Sequence, residues 1–122
     1  LVASFNPGYR KGVKDLRPST RQRFVTIGMG WPPAEVEVEI VARESGCTPA
    51  VARRLVALGR KIRALDDLAL PETASTRLLV AAGRLVVAGL EPRLACTIAV
   101  VEPLSDDEEV LAPLRDLVSL AF

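Results

Sequence analysis

The sequence predicts a mainly α chain: a bundle of about five helices preceded by two short strands. Three observations lead there. From about residue 33 onward, apolar residues recur at helical spacing in segment after segment. Helix punctuation separates those segments at Gly46, Thr48-Pro49, Gly89 and Ser105-Asp106-Asp107. Ahead of residue 33 the pattern changes to two short apolar runs, interrupted by proline, glycine and basic residues.

Each element has a local justification. Leu1 to Phe5 reads as the end of a buried strand. Asn6-Pro7-Gly8 breaks it, because proline lacks an N–H and glycine permits positive φ. Residues 9–17 form a polar, basic loop, and Ser19 to Arg23 a short helical turn with Ser19 as its cap. Phe24-Val25-Thr26-Ile27 is apolar and β-branched, hence a second strand. Gly28, Gly30, Pro32 and Pro33 end it and set a domain boundary between 1–31 and 32–122.

Glu35 to Ile40 alternates with period two, a strand pattern. Pro33 and the acids nevertheless suit a first helical turn. Val36, Ile40 and Arg43 then share a face, and a helix is expected over 33–45, stopped by Gly46. Thr48 caps the next helix, Pro49 takes its first position, and Val51, Leu55, Leu58, Ile62 and Leu65 form its apolar stripe. A loop follows over 66–72. A third helix runs from about Ser75 to Ala88 with Gly89 beyond it. Leu78, Leu79, Leu85 and Val86 give it two apolar sides, which suits a central position. A fourth runs from about Pro92 to Val101. The last opens on Ser105-Asp106-Asp107-Glu108, a capping-box pattern, and turns Val110, Leu111, Leu114, Leu117 and Val118 inward, with Pro113 as a kink point.

Composition narrows the function classes. At 122 residues, 49% of them apolar and only 4% aromatic, the chain can bury one aliphatic core, as one domain or a domain plus a piece of another. It contains no histidine, so neither a zinc site nor His-based catalysis is expected, and no metal is assigned. Cys47 and Cys96 stand far apart without a motif, which fits a reducing compartment and a cytoplasmic location. Leu1-Val2-Ala3 is too short for a signal h-region, and no apolar run approaches membrane-spanning length. A first residue that is not Met reads as a cut inside a longer protein. Residues 1–30 carry six basic residues and one acid, the remainder ten and fourteen. The basic end lacks aromatic interleaving and any groove-binding motif, so nucleic acid is not the expected partner.

Three polar motifs stand out. Asn6 follows the first apolar run, where an open sheet places ligand groups and an amide can orient a water or touch a phosphate. Asn-Pro-Gly is also an ordinary turn. Arg21 and Arg23 precede Phe24. They point to one side if the backbone is extended and to different sides if it is helical. A guanidinium there can stabilise charge on a transferring phosphoryl group, or simply face water. Arg77 lies in the first turn of an apolar helix beside Ser75 and Thr76. A cation there opposes the helix dipole, so it serves an anionic partner or pairs with a local acid such as Glu72. The cluster Arg53, Arg54, Arg60, Lys61 and Arg63 reads as a solvated helix face. No Gly-x-x-x-x-Gly-Lys-Ser/Thr stretch is present to cradle phosphates.

Together these stretches resemble the C-terminal half of a MoxR-type AAA+ ATPase, and within that group the CbbQ/NirQ/NorQ family. The resemblance rests on Ala3 to Tyr9, Lys14 to Val25, Ala74 to Val80 and Val101 to Asp107. It implies that residues 1–31 are the end of the α/β core and 32–122 the helical lid, the two strands being the core's remnant. Asn6 would be sensor 1, Arg23 the arginine finger acting on a neighbouring subunit's nucleotide, and Arg21 a second finger or structural. Arg77 would be sensor 2. The parent protein would use ATP and Mg2+. This chain, lacking Walker A and Walker B, would neither bind nucleotide tightly nor hydrolyse it. The implied partners are its own subunits in a hexameric ring, a von Willebrand factor A-domain protein of the CbbO/NorD type, and a target such as Rubisco or nitric oxide reductase. Gly28-Met29-Gly30-Trp31 departs from the pattern by lacking an acid after the last strand. The rival reading is a stand-alone helical adaptor that binds a protein or nucleic acid through its basic N-terminal arm.

Overall fold

A computed structural model of the chain describes residues 2, 18–65 and 73–122. The strand and turn expected over 1–8, the basic loop over 9–17 and the loop over 66–72 lie outside them. The chain divides into two units, Leu1–Trp31 and Pro32–Phe122.

In the first unit the one described helix is α1, Pro18–Arg21. It begins a residue ahead of the expected cap at Ser19, and Arg23 N–H closes a turn on Thr20 O at 3.1 Å. The strand expected over Phe24–Ile27 is not formed, and residues 25–33 carry no regular secondary structure. Strand geometry is held by pairing, and among the described residues no backbone bond joins this segment to a neighbour. Val25 and Ile27 accordingly lie open to solvent.

The second unit is the expected helical bundle. Helix α2 spans Ala34–Ser45 and stops where Gly46 turns left-handed (φ 78°) and returns its N–H to Ala42 O. Helix α3, Pro49–Arg63, opens on a Thr48 cap that accepts from Val51 N–H. Helix α4 spans Thr76–Val87. It ends in a Schellman motif: Gly89 (φ 98°) donates to Val86 O and Leu90 to Leu85 O, both at 3.0 Å. Helix α5, Pro92–Cys96, is capped by Glu91 and widens into a π turn over Thr97–Val101, then a 3-10 turn over Glu102–Leu104. Helix α6 spans Glu108–Ala121. Its cap is Asp107, which accepts from Glu109 N–H, while Ser105 accepts from Asp107 N–H one step earlier. The cap thus falls at Asp107, two residues after the Ser105 of the capping-box reading.

The core is aliphatic. Val41, Leu55, Val56, Leu58, Ile62, Leu79, Val100, Leu104, Leu114 and Val118 are buried in it. Full burial of one such side chain contributes about 1.5–3 kcal/mol. Helix α4 is central, touching α2, α3, α5 and the π turn. Two glycines let its neighbours close in. A Cβ on Gly59 of α3 would stand 2.9 Å from Leu79 Cδ1, and one on Gly83 of α4 would stand 2.5 Å from Ser45 Oγ. Both cysteines are buried and unbridged, and burial pushes the Cys96 thiol up to about 12. No helix among the described residues is long and apolar enough to cross a membrane.

Candidate functional site

The candidate site is the start of α4. Thr73 and Ala74 lead into the Ser75 cap, which makes no side-chain capping bond, so the first-turn N–H groups are not closed off by it. Arg77, the second residue of the helix, is exposed and has no hydrogen-bond or ion-pair partner among the described residues. Glu72, the acid considered as its local partner, lies outside them. Beside Arg77 runs an open groove of about 580 Å³ between α2 and α4, floored by Ile40, Val80, Ala81 and Leu85 and edged by Glu44 and Arg84. Arg84 Nε donates to Glu44 O at 3.2 Å, tying the groove's two walls together.

Beneath this surface sits a buried ionic network. Glu37 of α2 is fully buried and receives Arg63 of α3 in a two-pronged pair, Nη1 to Oε2 at 2.9 Å and Nη2 to Oε1 at 2.7 Å. Thr76 Oγ1 donates to Glu37 Oε1 at 2.7 Å, and Arg63 Nε donates to Ala74 O at 2.6 Å. Burial raises the Glu37 carboxyl, but the hydrogen bonds from Arg63 and Thr76 and the charges of Arg63 and Arg60 outweigh it. The group is held below the ordinary glutamate range.

This network corrects two expectations. The face of α2 predicted from Val36, Ile40 and Arg43 is the outer one: Val36 and Ile40 are exposed, and Glu37, Val38, Val41 and Ser45 face the core. The basic cluster of α3 is not one solvated face. Arg63 is buried, and Arg54 donates to Ala121 O at 2.8 Å and lies over the Phe122 ring at 4.4 Å. A signal for Arg63 was present: it stands four residues after Gly59 and seven after Val56, both buried, so it continues the inner row of α3. Glu37 had a weaker one, lying between Val36 and Val38 and four residues before Val41.

Of the other predicted site residues, Asn6 lies outside the described residues. Arg21 is the last residue of α1, and its side chain is not among those described. Arg23 follows two residues later and is exposed. Arg77 thus directly follows Thr76, which bonds to the Glu37–Arg63 pair, whereas Arg21 and Arg23 belong to the other unit. At the start of α4 an exposed guanidinium, Arg77, stands beside a helix N-terminus without a side-chain cap, an arrangement that suits an anion.

The comparisons with known proteins agree with one another. Residues 37–121 match the family model for the CbbQ/NirQ/NorQ C-terminal region. The chain is 51% identical over 120 residues to the denitrification regulatory protein NirQ of Pseudomonas aeruginosa, covering 98% of this chain and 46% of that protein. It is 49% identical over its full length to protein NorQ of Paracoccus denitrificans and 43% identical to protein CbbQ of Hydrogenophilus thermoluteolus, covering 45% and 46% of those proteins. The chain thus spans somewhat under half the length of these curated relatives. With the helical bundle and the family match coinciding over 37–121, the chain belongs to the CbbQ/NirQ/NorQ family and represents its C-terminal part.

Proposed function

We propose that this chain is the sensor and lid portion of an AAA+ ATPase that couples ATP hydrolysis to the remodelling or activation of a target enzyme complex. The observation that carries this reading is Arg77: an exposed guanidinium, without a partner among the described residues, in the first turn of an otherwise apolar helix whose preceding residue, Thr76, bonds to buried Glu37. An arginine so placed opposes the helix dipole, and an external anion removes the conflict. In this reading Arg77 touches a nucleotide phosphate as sensor 2 and carries its state into the bundle.

ATP with Mg2+ supplies the transferable phosphoryl group, held by the half of the protein that carries the phosphate cradle. From this chain, Asn6 orients the attacking water as sensor 1 and Arg23 neutralises charge across a subunit boundary, with Arg21 as a second finger or support. The ring is a hexamer in the cytoplasm, working with a von Willebrand factor A-domain protein of the CbbO/NorD type. The NirQ relatives are denitrification regulatory proteins by name, which favours an enzyme of denitrification, such as nitric oxide reductase, as the remodelled target, with Rubisco the alternative. The test is ATP turnover by the full-length protein. Arg77→Ala should lower kcat by about tenfold or more, an arginine–phosphate contact being a charge-assisted bond of roughly 1.5–3 kcal/mol. Wild-type turnover by that variant would refute the sensor assignment.

A further inference from the structure

One buried carboxylate joins the first turn of α4 to α2 and α3. Glu37 accepts from Thr76 at 2.7 Å and from both outer nitrogens of Arg63, while Arg63 Nε holds Ala74 O at 2.6 Å. The two residues held, Ala74 and Thr76, stand three residues and one residue before Arg77. Further along, α4 is gripped by close approaches of Leu79 to Gly59 and of Gly83 to Ser45. The helix therefore has little freedom to turn about its axis, and its start is fixed by hydrogen bonds rather than by packing alone.

An ionic pair is a poor choice for stability at such a place. Desolvating both groups offsets most of their attraction, and an apolar pair of the same volume generally serves as well or better. What the pair does supply is direction. A planar guanidinium against a carboxylate fixes angles as well as distance. An aliphatic residue at position 37 would fill the space but hold neither the Thr76 hydroxyl nor, through Arg63, the Ala74 carbonyl.

We propose that Glu37, Arg63 and Thr76 are positioning residues for Arg77: they set the orientation of the α4 first turn and so the place at which its guanidinium meets phosphate. The proposal rests on the reading of Arg77 as a nucleotide contact. Thr76 is the cleanest lever, because valine keeps its shape while removing the hydroxyl, and Glu37 retains both Arg63 bonds.

The experiment is a double-mutant cycle in the full-length protein, reading kcat and KM for ATP together with the melting temperature. Thr76→Val should lower kcat/KM by about tenfold, misplacement of a catalytic contact being worth up to about a hundredfold. Thr76→Ser should restore it, and Thr76→Val should lower the melting temperature modestly, leaving the protein folded at the assay temperature. In an Arg77→Ala background, Thr76→Val should change turnover by less than about twofold, because its effect runs through Arg77. An equal loss in both backgrounds, or no loss in either, overturns the positioning role while leaving Arg77 as a sensor. Wild-type turnover by Arg77→Ala alone overturns both. Should Thr76→Val melt early, the cycle is run at a temperature well below the midpoints of all four proteins, with the same deciding outcomes.

Discussion

Arg63 and Glu37 illustrate how the same residue type changes meaning with burial. Arg63 shares α3 with Arg53, Arg60 and Lys61, which are exposed. Its own side chain is 8% exposed and Glu37's is 0%. Removing the guanidinium would strand a buried carboxylate, so Arg63→Ala should destabilise the bundle by about 3–5 kcal/mol, read by urea unfolding at neutral pH. The same pair predicts a pH dependence. Because the folded-state pKa of Glu37 is depressed, its stabilising contribution is fully present above the unfolded value, about pH 4.3. It is lost as pH falls through the lower, folded-state value. Denaturation midpoints should therefore drop below about pH 4.3, and the Glu37→Gln variant should show a shallower drop. The sequence shows an acid at position 37 and a base at 63, but twenty-five residues separate them. No local rule pairs them; only the packing of α2 on α3 does.

At the scale of elements, the helix ends were the most legible part. Gly46, Thr48-Pro49 and Gly89 punctuate the chain through φ preference and capping bonds, which involve residues within one turn. The inner faces of α3 and α6 were legible as well, because each has a single apolar stripe. The inner face of α2 was not. Val36 and Ile40 make one apolar row and Val38 and Val41 another, and the bundle selected the second. Gly83 marks the tightest packing of these helices. Alanine there would gain about 1 kcal/mol of helix propensity, yet its Cβ would meet Ser45 Oγ at 2.5 Å, and Ser45 is itself bonded to Val41 O. The steric cost of overpacking, about 1–3 kcal/mol, should prevail. Gly83→Ala should lower the melting temperature, whereas the exposed Ala57→Gly change in α3 should cost only the propensity difference of about 1 kcal/mol.

At the scale of the whole molecule, the chain consists of two units with different burdens. The unit 32–122 has its own core, its own caps and the Arg77 platform. The unit 1–31 holds the proposed finger residues, and Arg23 is exposed. An arginine that acts on a neighbour's nucleotide contributes to turnover and little to holding the nucleotide. In the full-length protein Arg23→Ala should therefore reduce turnover by about 10³-fold or more while leaving nucleotide affinity nearly unchanged. Turnover at the wild-type rate would remove Arg23 from that role. The contrast with Arg77→Ala, expected to act in its own bundle, separates the two units functionally.

Read alone, the chain of residues determined the α character, the helix boundaries, the aliphatic core and the motifs that carry the family likeness. Each of these depends on interactions within a turn or on a periodicity that one helix displays by itself. Tertiary structure decided which side of α2 faces inward, that Arg63 is a buried partner of Glu37, and that Phe24–Ile27 forms no strand among the described residues. Those outcomes depend on groups distant in sequence. A buried charge is tolerable only opposite its partner, and a strand exists only beside another, so neither can be read from the segment that bears it.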